Sequence, residues 1–168
     1  MQAVKSTEDG VRVVAVDDPD PTGDEVVVEM RSASVCGSDL HLAGFGPLPA
    51  VMGHEFAGIL ADGTPVAVDP NAPCGACDLC TEGKTHLCRN LAILGVTRDG
   101  GMAERVRVHP SQLVRLPAGV APEQACLVEP LAVAVHGMGL AGVGGGSRLA
   151  VVGAGSIGLA AVAAATGA

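Results

Sequence analysis

The stretch CGACDLCTEGKTHLC, residues 74–88, constrains the fold of this chain more than any other part of its sequence. Two residues separate Cys74 from Cys77 and Cys77 from Cys80, and a longer gap leads to Cys88. This spacing lets four sulfurs converge on one ion, and four thiolates complete a closed tetrahedral zinc site that stabilises a fold. The stretch therefore predicts a zinc-binding lobe over about residues 70–92.

Two other uses of these cysteines stay open on the sequence alone. An iron–sulfur cluster would use the first spacings, but Arg89 follows Cys88, whereas the ferredoxin run has a shorter last gap and a Cys-Pro pair. A disulfide framework needs an oxidising compartment, and the N-terminal MQAVKSTEDG lacks the apolar segment of a secretory signal. We therefore expect reduced, metal-bound cysteines and a cytoplasmic protein.

Composition argues against several classes of partner. Hydrophobic residues make up 48% of the 168 residues, which is enough for a sizeable core, although there are two Phe and no Trp or Tyr. The net charge of −8 disfavours a nucleic-acid or anionic-membrane surface. Residues 149–168 are uncharged and long enough to cross a bilayer, but their Ala and Gly content favours a strand, a turn and a helix. We expect neither a nucleic-acid partner nor a membrane.

The first part of the chain is predicted to be β structure, because short β-branched runs alternate with turn-rich segments. The predicted strands lie at residues 10–16, 25–30, 56–60, 65–68, 101–108 and 113–116. Several short strands with polar turns are typical of a small barrel or sandwich.

The pattern changes near Pro117. Pro122 and Glu123 suit the first turn of a helix, and residues 125–138 continue it as an apolar stretch that Pro130 interrupts. Residues 148–152 predict a buried parallel strand. The glycine-rich segment 153–158 then predicts a tight turn before another helix. We therefore expect one domain over residues 1–121, and a connecting helix with the first β-turn-α of a cofactor domain over residues 122–168.

Further motifs follow one another along the chain. Their main residues are Cys36 in CGSDLH, His54 and Glu55 in GHE, Glu129 in LVEPLAVAVHG, and Gly153, Gly155 and Gly158 in G-x-G-x-x-G. Together with the cysteine lobe, and in this order, they resemble the zinc-dependent medium-chain alcohol and polyol dehydrogenases. The pattern is closest to sorbitol and threonine dehydrogenases, and the resemblance runs from about the first strand to the last residue.

The resemblance implies a fold and an activity. The fold is a mainly β GroES-like barrel that carries the zinc lobe, followed by the start of an α/β Rossmann domain. The activity is oxidation of a secondary alcohol or polyol to a ketone, with zinc and with NAD or NADP as cofactors. The complete protein is expected to be a homo-oligomer that acts on a small molecule. The segment between Glu55 and Val66 is shorter than the usual hairpin of the family.

The resemblance also implies a catalytic zinc with three protein ligands, namely Cys36, His54 and Glu129. A carboxylate at the third position is the pattern of the polyol branch. Pro130 disfavours helical geometry at Glu129, so we expect its side chain to leave the helix and face the site. A solvated Glu129 at a helix break and Cys126 as the third ligand stay open as alternatives.

Four more residues surround this zinc by resemblance. Glu55 lies behind the metal and can enter its coordination shell transiently. Asp39 accepts the free ring N–H of the ligand histidine and so fixes its tautomer. Ser38 accepts the alcohol proton, and His41 is the outer end of a proton relay that runs through the cofactor ribose, a role suited to an imidazole that titrates near neutrality.

The glycine-rich turn is expected to hold the cofactor. Its residues are Gly153, Gly155, Ser156, Ile157 and Gly158. Gly155 lets the backbone approach a pyrophosphate, whose charge the helix N-terminus favours. The acidic residue that binds the ribose in this fold would lie beyond Ala168, so we expect the chain to represent the first half of a dehydrogenase.

Two other functions compete with this interpretation. One is a stand-alone zinc-binding module or an inactive dehydrogenase fragment. The other is a relative of the quinone reductases that lacks zinc, which the intact ligand set argues against.

Overall fold

The computed structural model of the protein describes residues 1–167, so Ala168, the end of the second predicted domain, lies outside the described residues. The chain divides into two compact units, of which the first is Met1–Cys126 and the second begins at Leu127. Each unit is described by itself.

Antiparallel strands build the first unit. They are β1 (Gln2–Thr7), β2 (Gly10–Ala15), β3 (Val26–Ala33), β4 (Phe56–Ile59), β5 (Pro65–Val68), β6 (Asn71–Ala72), β7 (Ala92–Ile93), β8 (Arg105–Val108) and β9 (Leu113–Arg115). Strands β1 and β2 form a hairpin, and β6 pairs with β7. The main sheet has five strands in the order β8-β3-β4-β5-β9.

One face of this sheet forms the core, because alternate residues of a strand point to the same side. The buried cluster consists of Val28, Phe56, Val66, Val68, Leu94, Val106 and Val108. Strand β3 pairs with β4 so that Ala33 faces Phe56, and the register shifts at a bulge between Met30 and Ser32. This pairing brings the residues that follow β3 next to those that precede β4.

In the first unit the structure confirms the strands predicted from the sequence and adds elements that were missed. Strand β1 was not predicted, and β8 begins at Arg105 because residues 101–104 are irregular. Short helices also lie in the predicted irregular regions, namely α1 (Gly37–Ala43) within the CGSDLH motif and α2 (Asp78–Thr81) within the cysteine lobe.

The second unit contains helices α3 (Val128–Leu140) and α4 (Ser156–Thr166), which pack against each other. The predicted break at Pro130 is wrong. Pro130 is the third residue of α3, and a proline is tolerated in a first helical turn because the N–H groups there have no intrahelical acceptor. Residues 125–127 form a separate 3₁₀ turn before it.

The predicted buried strand at residues 148–152 is also wrong. This segment has no regular structure, and its side chains are exposed, with Val152 fully so. A strand needs a neighbouring strand for its hydrogen bonds, and no strand within the described residues pairs with this segment. Among the described helices, none is both long enough and apolar enough to cross a bilayer.

Candidate metal centres and a glycine-rich turn

The four lobe cysteines come together in space. Their sulfur atoms all lie within 4.8 Å of one another, and Cys77 Sγ is 4.0 Å from Cys88 Sγ. Four sulfurs at about 2.3 Å from a tetrahedral zinc would be about 3.8 Å apart. The donor set and its spacing therefore fit one zinc ion, and none of the six cysteines forms a disulfide.

Backbone N–H groups surround these sulfurs. Cys88 Sγ accepts hydrogen bonds from the N–H groups of Cys74 at 3.2 Å and Asn90 at 3.3 Å. Backbone N–H groups of Ala76 and Cys77 lower the pKa of the Cys74 thiol to about 6. Such donors stabilise thiolate, which is the form of cysteine that binds metal.

The pKa values of the Cys80 and Cys77 thiols shift in opposite directions. Burial, followed by the neighbouring Cys77 and Cys88 sulfurs, raises the pKa of Cys80 to about 12. Backbone N–H groups of Arg89 and Cys80 instead lower the pKa of Cys77. Zinc binds thiolate, so a zinc ion at this cluster would favour loss of the Cys80 proton.

Cys36 and His54 form the core of a second group. One ligand atom from each of Cys36, His54 and Glu55 lies within 4.8 Å of the others. Cys36 is the N-cap of α1, and its backbone there is extended. The β3–β4 pairing places it beside the segment that carries His54 and Glu55. A thiolate, an imidazole and a carboxylate are all zinc ligands, so this donor set also fits that metal.

Asp39 connects the two main members of this group. Its Oδ2 accepts a hydrogen bond of 2.9 Å from the Cys36 N–H, and its Oδ1 lies 3.4 Å from His54 Nδ1. Asp39 is only 1% exposed. Oδ1 and Nδ1 are both buried and have no hydrogen bond of good geometry within the described residues, so their contact is a close electrostatic pair.

This pair changes the acidity of the histidine. The Asp39 carboxylate raises the pKa of His54 to about 9, against the opposing effect of burial and with a further contribution from Cys36. The metal-free ring is therefore protonated at neutral pH. A metal ion that binds this ring would release that proton, because a ligand histidine must be neutral.

Helix α1 carries the two residues of the predicted proton path. Ser38 Oγ lies 3.3 Å from His54 Nε2, so Ser38 belongs to the Cys36–His54 group by position. His41 follows on the exposed side of the helix, one turn later, and its ring meets Phe45 edge-on at 5.5 Å between centroids. The chain thus places one hydroxyl beside the group and one imidazole in contact with solvent.

Glu55 is buried beside the group at 2% exposure. Its Oε2 accepts a hydrogen bond of 2.5 Å from Ser34 Oγ, and its backbone O accepts one of 3.0 Å from the Ser34 N–H. No motif singles out Ser34, because its contact with Glu55 depends on the register between β3 and β4.

A close backbone stack supports the segment that carries His54. Gly53 has φ +93°, and its carbonyl oxygen accepts a hydrogen bond from the Gly101 N–H at 2.9 Å. A Cβ added to Gly100 would lie 2.0 Å from Gly53 O, and one added to Gly95 would lie 2.4 Å from it. Only glycine fits at these two positions, and the sequence analysis missed both.

The other predicted third ligands lie elsewhere along the chain. Glu129 is the second residue of α3, in the second unit, so the expectation that Pro130 takes it out of helical geometry is wrong. Cys126 ends the first unit, with its Sγ 4.0 Å from Gln124 O. Glu129 as a metal ligand therefore stays a prediction.

The glycine-rich turn has a defined shape within the second unit. Gly153 has φ +103°, and a Cβ added to Gly158 would lie 2.0 Å from Gly153 O. Gly155 is the N-cap of α4, and no side chain caps that helix start. Helix α4 begins with Ser156 and Ile157, whose backbone N–H groups belong to its first turn, where such groups lack intrahelical acceptors.

Comparisons with known proteins point to one family. The model of the alcohol dehydrogenase GroES-like domain matches residues 22–118. L-threonine 3-dehydrogenase of Bacillus licheniformis is 36% identical over 95% of this chain and 51% of its own length. The chain thus spans about half the length of the curated relatives it matches.

Solved structures agree with this match. Galactitol-1-phosphate dehydrogenase from Escherichia coli aligns with a TM-score of 0.90 and 33% identity, over 99% of this chain and 53% of that one. An alcohol dehydrogenase from E. coli CFT073 in complex with NADH aligns with a TM-score of 0.85 and 34% identity, over 96% and 52% of the two chains.

Proposed function

Since the chain belongs to the zinc-type medium-chain alcohol dehydrogenases, we propose that it oxidises a secondary alcohol or polyol to a ketone with NAD or NADP. The observation that carries the proposal is the group of Cys36, His54 and Glu55 in the GroES-like domain, with Asp39 behind the histidine. In the reaction, the carbinol carbon transfers a hydride to the nicotinamide, the hydroxyl loses a proton, and a C=O bond forms.

Two zinc ions fit the donor sets of this chain. Cys74, Cys77, Cys80 and Cys88 would hold a structural ion, because four thiolates leave no position for a substrate. Cys36 and His54, with Glu129 as the proposed third ligand, would hold a catalytic ion. That ion would supply a Lewis acid that lowers the pKa of an alcohol oxygen.

The proposed roles of the surrounding residues follow from their positions. Asp39 fixes the His54 ring through Nδ1 and leaves Nε2 available as the ligand atom. Ser38, beside Nε2, accepts the alcohol proton. His41 delivers that proton to solvent, since it lies on the same helix and is exposed. Glu55 would enter the coordination shell of the ion only transiently.

The glycine-rich turn is the proposed cofactor site and the proposed start of a Rossmann domain. The close approach of Gly158 to Gly153 and the helix that begins directly after Gly155 support this assignment. Backbone N–H groups in the first turn of α4 would face the pyrophosphate, whose negative charge a helix N-terminus attracts.

The proposed setting is a reducing compartment such as the cytoplasm, because the lobe needs free thiolates to bind zinc. The homo-oligomer expected for the complete protein stays a prediction, which light scattering can test.

Metal analysis tests the proposal independently of turnover. Two equivalents of zinc are expected in the protein, and Cys36→Ser should leave one of them. The refuting result is a native protein that holds one zinc, keeps it in Cys36→Ser and loses it in Cys77→Ser. That result would favour a zinc-binding module without dehydrogenase activity.

An activity assay tests the reaction itself, with a panel of secondary alcohols and polyols and with NAD and NADP in parallel. Where the native protein oxidises one of these substrates, Cys36→Ala or His54→Ala should abolish that oxidation. Ser38→Ala should lower kcat by about 10²-fold or more while the zinc content stays unchanged, because proton transfer is lost and the ligands are not. Unchanged turnover in Ser38→Ala would reject that residue as the proton acceptor.

A further inference from the structure

Ser34 contacts Glu55 through two separate hydrogen bonds. Its hydroxyl donates to the carboxylate Oε2 at 2.5 Å, and its backbone N–H donates to the Glu55 carbonyl at 3.0 Å. The backbone bond extends the β3–β4 ladder by one step beyond the Ala33–Phe56 pair. The backbone position of Ser34 is therefore set by the sheet, so its hydroxyl is presented to Glu55 from a fixed point.

The contact joins the two segments that supply the metal group. Ser34 stands two residues before Cys36, and Glu55 directly follows His54. Glu55 is 2% exposed, so water has little access to its carboxylate. A buried carboxylate without a donor is costly, and it would move towards any nearby cation to be satisfied. The Ser34 hydroxyl is a donor that supplies this need without a cation.

We propose that Ser34 is a positioning residue that holds the Glu55 carboxylate beside the Cys36–His54 pair and keeps it from becoming a permanent metal ligand. The catalytic centre needs a free coordination position for substrate, and a permanently bound Glu55 would fill it. Ser34 therefore acts on the metal only through Glu55. This inference rests on the proposed catalytic centre.

Cobalt replacement gives a test that does not depend on turnover. The protein is loaded with zinc in the lobe and Co²⁺ at the Cys36 group, and the spectrum of Cys36→Ser is subtracted. Tetrahedral Co²⁺ absorbs strongly in the visible region, and an added ligand weakens those bands. Ser34→Ala should reduce the visible absorption to roughly half and slow zinc release to a chelator about ten-fold.

Two matched variants separate this role from a structural one. Ser32→Ala removes a hydroxyl from the end of β3, two residues before Ser34, where it donates to Pro122 O at 2.6 Å and accepts from the Cys126 N–H. That variant should leave the cobalt spectrum unchanged even if it lowers the melting temperature. Ser34→Thr retains the hydroxyl and should restore the native spectrum and release rate.

A double-mutant cycle tests whether the effect passes through Glu55. In a Glu55→Gln background, Ser34→Ala should leave both the spectrum and the release rate unchanged. A native spectrum and release rate in Ser34→Ala would overturn the inference. It would also be overturned if Ser34→Ala changed the spectrum and release rate by the same amount with Glu55→Gln present as without it. If Ser34→Ala does not fold, Ser34→Gly removes the same hydroxyl and is judged by the same outcomes. Absence of any Cys36-dependent cobalt spectrum in the native protein would reject the proposed centre itself, and the inference with it.

Discussion

The lobe at about residues 70–92 and the Cys36 group each bring cysteine sulfur to a candidate metal site, but they assemble it differently. The lobe takes its four candidate ligands from one stretch of the chain, and backbone N–H groups of the same stretch surround the sulfurs. The Cys36 group takes its members from two segments that meet only because β3 pairs with β4. A local site can be inferred from spacing, whereas a site built across a sheet depends on register and on what supports each segment.

The largest effect is expected when a lobe thiolate is removed. A large loss of stability would show that the local site maintains the fold. Cys88→Ser removes a buried ligand that accepts two backbone N–H groups. Structural zinc contributes directly to folding free energy. We therefore expect the free energy of unfolding to fall by about 4 kcal/mol and the melting temperature to fall by about 10 °C. Calorimetry of the zinc-loaded protein measures it. Cys126→Ser, a cysteine outside the lobe, should change the melting temperature by much less; equal shifts would contradict the structural role of the lobe.

The next effect concerns the support of the second site. Gly100→Ala would place a Cβ 2.0 Å from Gly53 O and 2.5 Å from Gly95 Cα, and backbone atoms cannot easily move away. We expect a loss of about 3 kcal/mol in the free energy of unfolding, together with loss of metal at the Cys36 group and retention in the lobe.

Urea unfolding and metal analysis of Gly100→Ala check both parts. Gly137→Ala is the matched control, since that glycine lies within α3 with open space around its Cα, and alanine there should be neutral or slightly stabilising. Loss of lobe zinc in Gly100→Ala, with the Cys36 group still occupied, would contradict the claim that the close packing of Gly100 on Gly53 supports the segment that carries His54.

A smaller effect should appear when the electrostatic partner of the histidine is removed. Asp39→Asn keeps the shape of the side chain but removes the charge that faces His54 Nδ1 at 3.4 Å. We expect zinc affinity at the Cys36 group to fall about 10- to 100-fold, with the lobe unaffected. A competition titration against a chromophoric chelator measures this. Asp62→Asn, in the exposed turn between β4 and β5, is the control, and an equal loss of affinity there would argue against a specific role for Asp39.

The smallest effect concerns an ion pair that involves no metal. Burial alone would raise the pKa of Glu25, but hydrogen bonds from Arg98 and Thr22 outweigh it and lower the pKa to about 2. Because the folded pKa lies below the ordinary value of 4.5, the pair stabilises the fold above that value. This stability is lost as the pH falls from 4.5 towards 2. Arg98 is 34% exposed, so solvent screening limits the contribution to about 1–2 kcal/mol.

Glu25→Gln tests this ion pair. The variant should be less stable than the native protein at pH 6, and the difference should shrink as the pH is lowered below 4.5. Urea unfolding of both proteins between pH 3 and pH 6 provides the comparison, with Glu8→Gln on the exposed β1–β2 turn as the control. A difference that does not vary with pH would contradict the ion pair.

Spacing along the chain was enough to predict that the four lobe sulfurs come together, because all four cysteines lie in one short stretch; zinc binding there stays a prediction. The resemblance, together with the motifs around Cys36 and His54, identified the residues that the structure brings together at the second group. Ser34, Gly95 and Gly100 could not be found in this way, since their importance depends on which backbone segments approach one another. A tight-packing glycine looks the same in a sequence as a glycine in a loop.

The residues missed in the first unit show no local pattern, whereas the errors in the second unit come from local patterns that were given too much weight. Residues 148–152 have the composition of a strand, but a strand also needs a partner, which composition does not reveal. Pro130 was treated as a helix breaker, although its effect depends on its distance from the helix start. In both cases a correct local tendency was applied without the context that decides its outcome.

The carboxylate of Asp39 is shared between two tasks, since one oxygen receives the N–H at the start of α1 and the other faces the His54 ring. A substitution there is therefore pleiotropic. Any side chain selected to strengthen the helix start also alters the basicity of the histidine, and any side chain selected to tune the histidine also alters the helix start. Directed evolution of this site can relieve the conflict only by compensating changes at a second position, which makes Asp39 a poor first target for changing the site and a useful reference for measuring epistasis around it.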